Sequence, residues 1–270
     1  MSMQRKNIVV QQGFSIVELS IVLIVITIVI TGILVGTSLI NQAGISSLIR
    51  DINATQISYN NFILRYEAKP GDCSSAANYW ANCADNNLDC NGNGNRLVEY
   101  SPIPIGENGI GDETVRVYRH LALANMINNA GTNQLLHGIS GGNLIIGTDV
   151  PPSKIPGTGF FIAGPVQDIG NGVIYASPWL GDNKTNAVFI GTKKSGNGLV
   201  FSALTADDAF SIDKKIDDGV VNSTYQLTGA TTGLFRSIDG ADAQQFDCQD
   251  NNIYNTISDK LTCVIGFSLD

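Results

Sequence analysis

Charge and aromatic surface are both scarce in this chain of 270 residues: charged side chains make up 15 % and Phe, Trp and Tyr together 7 %. A solvated helical bundle needs more charge than this, and the 29 glycines favour short strands joined by turns and loops. There are two histidines, His120 and His137, little material for a zinc centre or a histidine-based triad. Basic residues are outnumbered by acidic ones, 16 to 24, and the net charge of −8 lacks the basic face that phosphate binding needs, so no nucleic-acid partner is expected. No stretch places a nucleophile beside two carboxylates, and no enzymatic activity is expected. The five cysteines, Cys73, Cys83, Cys90, Cys248 and Cys263, have spacings that fit no compact zinc pattern. No internal repeat is evident. The length suffices for one main domain with a real core.

What the chain does not lack is a long apolar run. Residues 19–40 carry no charge and are almost all apolar. At about 1.5 Å per residue they suffice to cross a bilayer core of about 30 Å. Arg5 and Lys6 precede the run and no cation follows closely, which orients the N-terminus to the cytoplasm and the body outward. A cleaved secretory signal would have a shorter apolar core, of about 7–15 residues, followed by a small-residue cut site. A plain anchor fits the length but leaves Glu18 unexplained, because a carboxylate beside lipid needs a partner.

The segment Gly13-Phe14-Ser15-Ile16-Val17-Glu18, between a short basic leader and the apolar run, resembles the type III signal of type IV prepilins. The resemblance implies cleavage between Gly13 and Phe14 by prepilin peptidase and N-methylation of Phe14. It also implies that Glu18 meets the N-terminal amine of a neighbouring subunit during assembly. Physical chemistry points the same way, since a carboxylate and an ammonium stranded in an apolar bundle are each other's best partners. The implied fold is α+β and pilin-like, a long N-terminal α-helix packed on an antiparallel β-sheet head with disulfide-stapled loops. The implied divisions are a leader at 1–13, a helix at 14–68 with a transmembrane part at about 14–40, and a globular head at 69–270. The implied role is a structural subunit of a type IV pilus. It waits in the inner membrane with a periplasmic head and is then assembled with other pilins by an inner-membrane platform and ATPase. Two alternatives are a pseudopilin of a type II secretion system in a periplasmic filament and a non-polymerising membrane-anchored binding protein.

Beyond the apolar run, Ile45, Leu48, Ile49, Ile52, Tyr59, Ile63 and Tyr66 recur at helical spacing, interrupted only by Gln56, and Pro70-Gly71 ends the helix. Gly32, Gly36 and Gly44 are either points of bending or places of close helix approach. Residues 113–129 read as a helix. Short apolar runs at 143–147, 159–163, 172–177, 187–191, 198–203 and 263–269 read as strands. Thr205 reads as the N-cap of a helix through Ile216, ended by Gly219, with Asp207, Asp208, Asp217 and Asp218 as caps and a solvated face. A second, looser resemblance links the body to pilin-like proteins with large heads. It rests on Tyr66-Glu67-Ala68-Lys69-Pro70-Gly71-Asp72, Tyr79-Trp80, Cys90-Asn91-Gly92-Asn93-Gly94-Asn95, His120-Leu121, Asp208-Ala209, Ile212-Asp213, Lys215-Ile216-Asp217-Asp218-Gly219 and the pair Cys248 and Cys263.

Two candidate sites lie in the head. Asp89, Asn91, Asn93 and Asn95 alternate with Cys90, Gly92 and Gly94 in the manner of an EF-hand loop, with Asp85 and Asn87 as further oxygens. The twelfth position holds Tyr100, with Glu99 one residue early. The segment is therefore either a calcium loop or a series of Asn-Gly turns that needs no ion. Cys248 and Cys263 flank a polar loop and read as a disulfide stapling the last strand. One pair is expected among Cys73, Cys83 and Cys90, with the fifth cysteine left over.

Overall fold

The computed structural model describes residues 15–81, 83, 90–99, 113–127, 146–147, 150–164, 186–192, 202–221, 226–240, 247–257 and 259–269. The chain divides into two compact units, Met1–Gly44 and Ile45–Asp270.

In the first unit a helix, α1 (Ile16–Tyr66), begins at Ile16 and carries on past Gly44. It is long and apolar enough to cross a membrane. Every leucine, isoleucine and valine from Ile16 to Ile40 is exposed. The few hydroxyls in this stretch do not break its apolar character. Ser20, Thr27 and Thr37 donate to the carbonyls of Val17, Leu23 and Leu34 at 2.8, 2.7 and 3.0 Å. These three hydroxyls are thus closed within the helix. Gly32, Gly36 and Gly44 are helical, and a Cβ at any of them would meet nothing within 4 Å in this chain.

In the second unit α1 is amphipathic. Ile45, Leu48, Ile52, Tyr59 and Phe62 are buried, with Ile49, Ile63 and Tyr66 packed at the margin. The stripe therefore runs one residue off the sequence reading at its end, because Phe62 rather than Ile63 faces the core. Its ring stacks on His120 at 5.9 Å and 8° and meets Trp80 at 6.0 Å. The helix closes at Glu67, a residue with φ 54, ahead of Pro70. Gly71 follows with φ 89, where a Cβ would lie 2.6 Å from the carbonyl oxygen of Glu113, so glycine is needed for both conformation and space.

A short helix, α2 (Ala76–Tyr79), precedes α3 (Glu113–Leu123), which lies on β1 (Thr158–Ala163). β1 pairs antiparallel with β2 (Ala187–Thr192). After α4 (Ala206–Ile216) come β3 (Val220–Val221), β4 (Leu227–Thr228), β5 (Phe235–Asp239), β6 (Gln249–Asp250), β7 (Ile253–Tyr254) and β8 (Cys263–Ser268). The main sheet has the order β1-β2-β8-β5 and is antiparallel throughout. The second, smaller sheet has the order β3-β4-β7-β6. All six residues of β1 and of β8 are buried, which is why both strands read as unbroken apolar runs rather than alternating ones. The fold is α+β: an N-terminal apolar helix, an antiparallel sheet and two disulfides.

Helix α4 starts where the sequence reading places it. Thr205 has extended backbone, and its hydroxyl accepts the Asp208 N–H at 3.1 Å. Asp207 and Asp208 in the first turn and Lys214 and Lys215 in the last complement the helix dipole. Helix α3 is shorter than 113–129, ending at Leu123, with Asn125 at φ 55. Strand β5 is absent from the sequence reading, because Arg236 and Asp239 interrupt its apolar pattern. The expected strand at 172–177 lies outside the described residues, as do most of those at 143–147 and 198–203. Of the last two, Ile146 bridges Val150 and Leu204 follows as a bridge to Cys263.

Candidate assembly segment and the loop hub of the head

Gly13 and Phe14 lie outside the described residues. Ser15 is the first described, and it caps α1. Its hydroxyl accepts the Val17 N–H at 3.3 Å, and the Glu18 carboxylate reaches back to accept the Ser15 N–H at 2.9 Å. The Ser-x-x-Glu spacing is that of a capping box. Glu18 therefore has a local task that the sequence reading missed, although the signal was there three residues after a serine. The Glu18 side chain is exposed.

The head is organised around two buried carboxylates. Asp72, just past the turn that ends α1, accepts the N–H groups of Gly94 (2.6 Å), Asn95 (3.1 Å) and Arg96 (2.6 Å). Glu113, at the start of α3, accepts those of Asn93 (2.8 Å) and Glu99 (3.0 Å). Five loop amides thus end on two side chains and tie residues 93–99 to the ends of two helices. Burial raises the Asp72 carboxyl while the three amides hold it down. Burial pushes Glu113 up to about 7 against its two amides, with the charges of Asp72 and Glu99 adding to the rise. Gly92 lies so close to the backbone of Gly71 and Asp72 that no side chain fits there.

The asparagines of this loop accept from backbone N–H groups, Asn93 and Asn95 within the loop and Asn91 at Ala77 in α2. The Asn91, Asn93 and Asn95 side-chain oxygens accept the N–H groups of Ala77, Asn95 and Leu97 at 2.9, 2.9 and 2.8 Å. Asn93 and Asn95 also donate to the two oxygens of Glu99 at 2.5 and 3.0 Å. Asp89, Asp85, Asn87 and Tyr100 lie outside the described residues.

His120 is a structural imidazole. Its Nδ1 accepts the Gly71 N–H at 2.9 Å, so the proton sits on Nε2, which donates to the Cys90 carbonyl at 2.9 Å. Burial, reinforced by the positive charges of Arg116 and Arg119, lowers its pKa to about 4. With both nitrogens engaged and the ring neutral, it has no free position for base catalysis. His137 lies outside the described residues. Cys83 is bonded to Cys90 and Cys248 to Cys263, and Cys73 is a buried free thiol. Asp72, Glu113 and His120 form the frame of the head. Asp72 and His120 sit in segments the sequence reading quoted, but their role needs contacts across 22 to 49 positions.

No protein-family model, curated protein or solved structure matches the chain.

Proposed function

We propose that this chain is a prepilin whose mature form polymerises through its N-terminal helix into a type IV pilus. The observation that carries the reading is a conjunction on one helix. Gly13-Phe14-Ser15-Ile16-Val17-Glu18 leads into a segment that is uncharged from Leu19 to Ile40 and exposed, while the same helix from Ile45 onward buries one face, Ile45, Leu48, Ile52, Tyr59 and Phe62, in the head. So large an apolar surface requires lipid before assembly and other helices after it. The subunit waits in the inner membrane, is cut by prepilin peptidase, and is drawn by a platform protein and ATPase into a bundle with other pilins. There Glu18 offsets the Phe14 amine of a neighbour and sets the axial register. The head supplies the outer surface, stapled by Cys83–Cys90 and Cys248–Cys263.

The test is intact-mass analysis of subunits sheared from the cell surface. The expected species begins at N-methylated Phe14, with the loss of Arg5 and Lys6 taking the formal charge from −8 to −10. Subunits that retain residues 1–13 refute the reading. Processed subunits recovered only from the periplasm assign the chain to a type II secretion pseudopilus instead.

A further inference from the structure

At the C-terminal end of α1 the head carries a cavity of about 580 Å³, within the size range of small-ligand sites. Ile63 and Ala68 give it apolar wall, and Glu67, Lys69, Ser74 and Arg96 bring charge and a hydroxyl. Asp72 reaches it as well, but both of its oxygens are engaged by the amides of Gly94, Asn95 and Arg96. The Glu67 carboxylate and the Arg96 guanidinium are not so engaged. Both residues are exposed, and among the described residues neither side chain makes a hydrogen bond or an ion pair, with the other or with anything else. Only their main chains are bonded.

The backbone sets the same two positions apart. Five non-glycine residues among those described have positive φ. Three are asparagines, Asn125, Asn251 and Asn252, whose short amide tolerates left-handed backbone. The other two are Glu67 at φ 54 and Arg96 at φ 72. Long side chains are disfavoured there, and glycine would make either turn without strain, as Gly71 and Gly94 do nearby at φ 89 and 77. At Glu67 and Arg96 the chain keeps an acid and a base instead, and both line one cavity. Strain retained in this way points to a use for the side chains rather than for the turns.

We propose that this cavity binds a small zwitterion, an amino acid or a short peptide, with its carboxylate on Arg96, its ammonium on Glu67 and its aliphatic part against Ile63 and Ala68. The planar guanidinium fork matches a carboxylate, and the Lys69 charge lines the same cavity. Glu67 stands just past the last turn of α1, where the helix dipole adds negative potential and favours a cation. Asp72 pins the Arg96 amide, so the guanidinium projects from a fixed loop and less freedom is lost on binding. A plain anion would be repelled by Glu67, and a plain cation by Arg96 and Lys69. A ligand that carries both charges answers both.

The test is calorimetric titration of the full-length chain in detergent with two probes, L-leucine and L-alanyl-L-leucine. At least one is expected to bind, and which of them does so separates the amino acid from the peptide. The N-acetylated form of that probe lacks the ammonium and its amidated form lacks the carboxylate, and each is expected to bind at least about tenfold more weakly. Glu67→Gln should weaken the zwitterion as much and leave the acetylated form unchanged, and Arg96→Gln should do the same for the amidated form. Glu67→Gly and Arg96→Gly should lose binding yet keep or exceed the wild-type Tm, because glycine is at ease in left-handed backbone. No binding of either probe at millimolar concentration overturns the proposal. So does equal binding of the capped forms, or wild-type affinity in both glutamine variants. A fall in Tm in both glycine variants overturns it too, since the side chains would then be holding the fold.

Discussion

His120→Phe tests how the head is held together. Phenylalanine preserves an aromatic ring against Phe62 and Trp80, which now lie 5.9 and 5.8 Å from the imidazole, and removes both hydrogen bonds and the titrating group. Two buried backbone groups, the Gly71 N–H and the Cys90 carbonyl, lose their partner. At about 1–3 kcal/mol for each orphaned group, the variant should be less stable by about 2–6 kcal/mol at pH 7.5. The pH dependence gives the sharper test. The imidazole pKa falls from 6.5 in the unfolded chain to about 4 in the fold. Between those values the unfolded state binds more protons, so acid selectively stabilises it and the native protein loses stability as pH falls. Two and a half pH units at about 1.36 kcal/mol each come to about 3 kcal/mol, fully lost near pH 4. Glu113 and Asp213 work in the opposite sense. Their carboxyls are raised to about 7, so their contribution is full below the unfolded carboxylate range and is lost as pH rises through 7. They are common to wild type and variant and cancel in the difference. Urea unfolding of the full chain in micelles, followed by tryptophan fluorescence with Trp80 beside the site, should show the gap between the two proteins narrowing by about 3 kcal/mol from pH 7.5 to pH 4. A gap that stays constant would refute the picture of an imidazole held neutral by burial.

Glu18→Gln keeps the capping geometry with Ser15 and removes the charge, whereas Glu18→Ala removes both. If the charge meets a neighbouring Phe14 amine, both variants should be cleaved and membrane-resident yet depleted from sheared filaments. Wild-type incorporation of Glu18→Gln would reduce Glu18 to a helix cap. Replacing Cys248 and Cys263 together by serine opens a loop with a sequence separation of 15 and should cost about 3 kcal/mol, or about 6–12 °C in Tm for a head of this size. A change of less than about 2 °C would show that β8 is held by its pairing with β2 and β5 alone.

Much of this protein is legible in its sequence because the physics is local. An uncharged apolar run from Leu19 to Ile40 needs only counting to be recognised as a membrane-length helix. Thr205 with Asp207 and Asp208 marks the start of α4, since a cap is a contact over three positions. Strands β1 and β8 announce themselves as apolar runs because both faces are covered. Tertiary structure decided the rest, where the partners are far apart in the chain. Nothing near Asp72 shows that it will collect three amides from residues 94–96, and nothing near His120 points to Gly71. Only the fold selects Cys83 and Cys90 and leaves Cys73 free. Asp213, Asp217 and Asp218 share one end of a helix in sequence, where Asp217 and Asp218 read as caps and a solvated face. Only the return of the chain at Gly229 and Gly233 brings backbone against them, and of the three only Asp213 becomes buried.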